Sequence, residues 1–135
     1  MFKIDTETHA ITLPTGDTLD FTLTLKTAGE PAAIPEGSAA VFGICRPRSS
    51  GVNDYIFRKT FPIKGNTVSI CLTNADTRNL KPGTAYAWDV RVVTDPEYDD
   101  DGNAYCGDDT DCVISVFSGS TSLPSFNLIG VSSNV

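Results

Sequence analysis

A chain of 135 residues, 40% of them apolar, suits one domain with a single hydrophobic core and needs no stapling metal or disulfide. Ten basic against seventeen acidic side chains give a net charge of −7, and the cations are scattered, which excludes the clustered Lys and Arg of a nucleic-acid binder. No apolar run reaches the roughly 18 residues that a spanning helix needs, so membrane insertion is not expected.

The opening Met1-Phe2-Lys3-Ile4-Asp5 lacks the basic region and long apolar run of a secretory leader. Either the protein stays in the cell that makes it, or a leader has been removed. Residues 2–5 and 10–13 read as short extended segments, the second ended by Pro14, and Thr15-Gly16-Asp17 as a turn. Residues 18–26 alternate: Leu19, Phe21, Leu23 and Leu25 inward, Thr18, Asp20, Thr22, Thr24 and Lys26 outward. That is the pattern of a half-buried antiparallel strand. A Pro-, Ala- and Gly-rich loop at 27–38 crosses between sheets, and the apolar run 39–46 is a central strand.

Residues 47–53 form a turn cluster, and 55–61 a strand nearer an edge, with aromatics at 55, 57 and 61 and charges at 58 and 59. Lys64-Gly65-Asn66 turns the chain into a strand at 67–72, whose inner face is Val68, Ile70 and Leu72, leaving Cys71 outward. Thr73 or Asn74 caps one helical turn through Asn79, with Leu80 inward. Pro82-Gly83 then reverses the chain, since proline presets φ and glycine accepts a positive one. In the strand at 85–94, Tyr86, Trp88, Val90 and Val92 share one face while Asp89 and Arg91 point the other way. Strands at 112–118 and 123–129 finish the sheets, giving one domain over residues 1–129 and a tail at 130–135. About eight or nine strands with turn signals every ten or so residues predict an all-β, immunoglobulin-like antiparallel β-sandwich.

The acidic excess between Asp95 and Asp111 is the best candidate for specific chemistry. Glu97, Asp99, Asp101 and Asp108, bent by Gly102, offer the oxygens that a calcium ion takes, but no flanking helices are visible. A hairpin tip with solvated carboxylates explains the same letters. Paired carboxylates for glycoside cleavage would have to be held beside a groove, which this loop does not predict. The single histidine, His9, would need Cys45 or Cys71 beside it to form a nucleophilic pair. Gly-rich phosphate loops and the G-x-S-x-G and H-E-x-x-H motifs are missing. Tyr86 and Trp88 read as packing; Tyr55, Tyr98 and Tyr105 are more exposed candidates for a sugar or partner surface. Cys106 and Cys112 either bridge across a small loop or remain free thiols, and free thiols fit a reducing cytosol. No catalytic residue, cofactor or metal is assigned.

G-D-T-L-D-F-T-L-T-L near the start and V-S-I-C-L-T-N-A-D-T-R-N-L-K-P-G-T-A-Y-A-W-D-V-R-V later carry a family resemblance. The chain resembles the N-terminal immunoglobulin-like domains of phage baseplate and tail-fibre proteins, the baseplate upper protein family above all. Asp76, Thr77, Leu80, Gly83, Tyr86, Asp89 and Val90 occupy that family's places, and Phe117-Ser118-Gly119 resembles the approach to its final strand. L-K-P-G-T-A-Y is also similar to the corner of fibronectin type III modules, which carry a Trp on their second strand, where this chain has Phe21 and Leu23. The resemblance implies a non-enzymatic virion part, made in the bacterial cytoplasm, that docks a receptor-binding or fibre protein onto a tail or baseplate, often within a trimer. Tyr55, Ile56 and Phe57 are the interface candidates. The competing class is a carbohydrate- or surface-ligand-binding module.

Overall fold

Alternating side chains become strand throughout the computed structural model, which describes residues 2–5, 7–27, 30–31, 34–46, 54–94, 96–106, 113–115 and 124–129. In chain order the strands are β1 (Lys3–Ile4), β2 (Ile11–Pro14), β3 (Leu19–Thr24), β4 (Lys26–Thr27), β5 (Glu30–Pro31), β6 (Ala39–Arg46) and β7 (Asp54–Lys64). After them come β8 (Thr67–Leu72), the helical turn α1 (Asn74–Thr77), β9 (Tyr86–Val93), β10 (Pro96–Tyr98), β11 (Ala104–Cys106), β12 (Val113–Ser115) and β13 (Ser125–Ile129). Nine strands form one hydrogen-bonded path, β1-β2-β13-β9-β6-β7-β8-β3, with β12 also on β9.

The path folds into two layers because β7 belongs to both. Asp54–Pro62 pairs with β6, and then Ile63 and Lys64 pair with β8. β3 and β9 are distant along the path, yet the Phe21 and Trp88 rings meet edge-on at 6.0 Å between centroids. The layers therefore face each other, and Leu19, Phe42, Ile44, Val68, Ile70, Leu72, Tyr86, Trp88, Val90, Phe126 and Leu128 fill the space between them. Phe42 stacks on Trp88 at 5.6 Å and 22°. β6 is central, between β7 and β9, as its apolar run predicts.

Two local devices hold the corner before β9. Gly83, at φ +80°, follows Pro82 in a turn closed by Thr84 N–H to Lys81 O at 3.3 Å. The Tyr86 hydroxyl then accepts from Lys81 N–H at 3.0 Å, the tyrosine-corner contact of immunoglobulin-like sandwiches. This is the predicted fold class.

Several expectations are corrected. The sheets are not wholly antiparallel: β2 and β13 run parallel, Ile11 opposite Phe126 through Pro14 opposite Ile129. Parallel neighbours need a long connection, and here nearly the whole domain supplies it. Pro14 is the last paired residue of β2, so the strand does end there, one position later than predicted. A small β4–β5 ladder, Lys26 opposite Pro31 and Thr27 opposite Glu30, begins just before the 27–38 loop and takes up its first part. Asp89 does lie on the face opposite Trp88, but it is only 3% exposed. That outer face has its own cover, a second apolar cluster of Ala39, Val41, Val93 and Ala104. Arg91 Nε reaches the Asp89 carboxylate at 3.2 Å. The turn cluster 47–53, the Phe117-Ser118-Gly119 segment, the tail 130–135 and Cys112 lie outside the described residues, as does the side chain of Cys106.

Candidate docking groove

Three elements far apart in sequence enclose a groove beside the edge of β7. The floor is β7 itself from Ile56 to Thr60, one wall is the α1 corner with Asp76, and the other is the tip of the β10–β11 hairpin from Asp101 to Asn103. Within its own layer β7 pairs only with β6 over residues 54–62 among the described residues, so its other edge is open. The register shifts between Ile44, which faces Phe57, and Cys45, which faces Tyr55. Ile56 is the extra residue of this bulge and stands 42% exposed. Phe57 is half-buried and packs against the main core.

The first wall is set by a cap. Thr73 Oγ1 accepts from Asp76 N–H at 3.4 Å while Asp76 Oδ2 accepts from Thr73 N–H at 2.9 Å, a capping box with Asp in the place of Glu. The same carboxylate binds Lys59 Nζ at 2.9 Å. Lys59 stands opposite Phe42 in the β6–β7 ladder, on the core side, so its apolar stem runs along the sandwich and its ammonium surfaces at the other layer. There it also donates to Cys71 O at 3.4 Å and lies 5.7 Å from the Phe61 ring centre. Partial burial pushes the Asp76 carboxyl up, but the Lys59 ammonium and the Thr73 amide outweigh it and hold the group below the ordinary carboxylate value.

The second wall is the acidic loop. Asp99 Oδ1 accepts from the amides of Asp101 and Asn103 at 3.0 and 2.9 Å, and Gly102 adopts φ +83° at the tip. Thr60 fastens this tip to β7: its hydroxyl donates to Asn103 Oδ1 and accepts from Ala104 N–H, both at 3.0 Å. Ala104 then enters the outer apolar cluster. The described part of the acidic run, residues 96–106, is thus the hairpin expected from its letters, and it is bound across the sheet.

Of the residues singled out from sequence, Ile56, Phe57, Asp76, Asp101 and Gly102 come together here. The Tyr55 side chain and Asp108 lie outside the described residues. Glu97 stands opposite Tyr105, and among the described residues no three His, Cys, Asp or Glu side chains are grouped to hold a metal ion. Tyr86 and Trp88 are buried. Tyr98 and Tyr105 are exposed but occupy neighbouring rungs of the hairpin, opposite Ala104 and Glu97, and so point to opposite faces. Those two rings do not make one sugar-stacking platform. His9, at φ +61° in the β1–β2 turn, accepts the Trp88 indole N–H on its carbonyl at 2.9 Å. Cys45 is buried on β6 and Cys71 half-buried on β8. Sequence reasoning missed Lys59, Thr60 and Asn103. The T-N-A-D letters carried the capping signal, whereas nothing local relates Thr60 to a partner 43 residues away.

A family model described as "LtfC-like, beta-sandwich domain" matches residues 5–115, which include all three sides of the groove. The match carries the coarser part of the resemblance, a phage-type β-sandwich, and does not name the baseplate upper protein family. Neither a curated protein nor a solved structure matches the chain.

Proposed function

The chain belongs to the LtfC-like β-sandwich family, a phage tail-fibre-associated family, and from that premise we propose that it is a non-enzymatic virion part. It joins a tail, baseplate or fibre protein to its neighbours through protein–protein contacts. The observation that carries this reading is the family match over residues 5–115. The letters shared with baseplate upper proteins point the same way and favour the tail end of the particle.

The groove beside β7 is where we place the heterologous contact. Its apolar part is Ile56 with the exposed side of Phe57, and burying such surface stabilises a complex by about 25 cal/mol per Å² removed from water. Arg58, Asp76 and Asp101 at the rim supply orientation rather than affinity. The bulge at Ile56 and the charges beside it discourage indiscriminate strand pairing, which leaves side-chain recognition as the main mode.

Gold labelling of purified phage particles with an antibody to this chain tests the assignment. Label at the tail or baseplate is the expected result, and particles without label would overturn it. In the same phage, Ile56→Asp is expected to lower incorporation at least tenfold while circular dichroism of the purified domain stays unchanged, because Ile56 lies on the surface.

A further inference from the structure

The strand path ends at the two-residue β1 and at the six-residue β3, and β3 differs from the open edge of β7 in every protective feature. β3 matches β8 residue for residue from Leu19 opposite Leu72 to Thr24 opposite Thr67, with no bulge. Among the described residues nothing pairs with its other edge. It carries no Lys, Arg or Pro. On its inner face Phe21 and Leu23 are only half-buried, although Val68, Ile70 and Leu72 on the adjacent strand are fully buried. The core is thus incompletely closed along this edge, where native sheets ordinarily place a bulge, a charge or a cover.

We infer that the β3 edge binds the β3 edge of a second copy, antiparallel about a two-fold axis at Thr22. The sequence L-D-F-T-L-T-L from Leu19 to Leu25 is self-complementary under that operation. Thr22 meets Thr22, Phe21 meets Leu23, Asp20 meets Thr24 and Leu19 meets Leu25. Every apolar position faces an apolar one, every polar position a polar one, and no like charges oppose. Cross-strand threonine pairs and aromatic–aliphatic pairs are favourable neighbours. An isologous contact of this kind closes on itself and yields a dimer. The same operation on β7 fails: the bulge at Ile56 disturbs the register, Arg58 and Lys59 lie near any axis, and two walls flank the edge. The β3 and β7 edges therefore divide the work, β3 taking a copy of this chain and β7 a different protein. This deepens the assembly reading by naming its self-association surface.

Light scattering of the purified chain over a concentration series should give twice the 14.4 kDa chain mass, and a mass that stays at one chain, or settles at three, overturns the inference. Thr22→Lys sets two ammonium groups face to face and should yield monomer, as should Thr22→Glu with two carboxylates. An equimolar mixture of the two should restore the dimer, which shows that the variants are folded. Under mild oxidation Thr22→Cys should cross-link across the axis well beyond the wild-type background. Ser69→Cys, one strand inward, should not, since it lies about three strand spacings (~14 Å) from its mate. A dimer that survives Thr22→Lys and does not cross-link at position 22 overturns the β3 contact and leaves the virion reading standing. Unlabelled particles beside a β3-linked dimer would do the reverse.

Discussion

Trp88 shows how much one side chain can organise. Its indole stacks on Phe42, meets Phe21 of the facing layer edge to face, and donates to the His9 carbonyl 79 residues away. One residue therefore binds the two layers and the N-terminal turn together. Replacing it with alanine leaves a large cavity and removes the bond to the His9 carbonyl, so Trp88→Ala should cost about 3–5 kcal/mol in urea unfolding. Trp88→Phe, which keeps ring packing and loses the hydrogen bond, should cost markedly less. An equal loss in both would show that the His9 bond, and not the packing, dominates. The ring's burial was legible from alternation after the Pro82-Gly83 corner, because an inward face declares itself every second residue. Its hydrogen-bond partner was not, since no local pattern relates positions 9 and 88.

At the scale of elements, the α1 corner couples a cap, an ion pair and a layer-to-layer contact in one carboxylate. Asp76 is held below the ordinary 3.8, and so is Asp5, whose oxygen accepts the Thr8 and Glu7 amides in the β1–β2 turn. A folded-state value below the unfolded one means that the charged form favours folding. That stabilisation is complete above about 3.8 and disappears as pH falls through the lower folded values. The contribution of these two carboxyls should therefore be lost as pH falls below about 4, and Asp76→Asn should shallow that decline when urea midpoints are compared across pH. A variant with an unchanged acid slope would show that Asp76 contributes nothing by titration. The capping turn was readable because Thr73 and Asp76 sit three apart ahead of a buried Leu80. The strands β3, β6, β8 and β9 were readable by period. The parallel β2–β13 pair was not, because direction is decided by topology and leaves no trace in alternation. The acidic hairpin was legible as a hairpin tip with solvated carboxylates, but its attachment to the sheet was not, because Ala104, which enters the outer cluster, is featureless in sequence.

Taken whole, the molecule has an inner core between its layers and a small outer one where β11 lies over β6 and β9, and the groove exists only because the second holds. The link is slight: the Thr60 hydroxyl with its two hydrogen bonds, and Ala104 in a cluster of four residues. Such a unit has few apolar contacts and should open far more readily than the sheet beneath it. Thr60→Val keeps the shape and removes both bonds. The hairpin amides, Asn103 and Ala104 first, should then exchange with solvent at least tenfold faster, while amides of β6 and β9 keep their wild-type rates. Global stability should fall only by the roughly 1–3 kcal/mol of two net hydrogen bonds. Uniform acceleration across β9 and the hairpin alike would mean that the two cores unfold as one. In that case the wall could not yield without the sheet, and a partner at β7 would meet a rigid groove. Independent opening would give the same partner an adjustable wall on a fixed floor, and Thr60→Val should then weaken docking at β7 without disturbing self-association at β3.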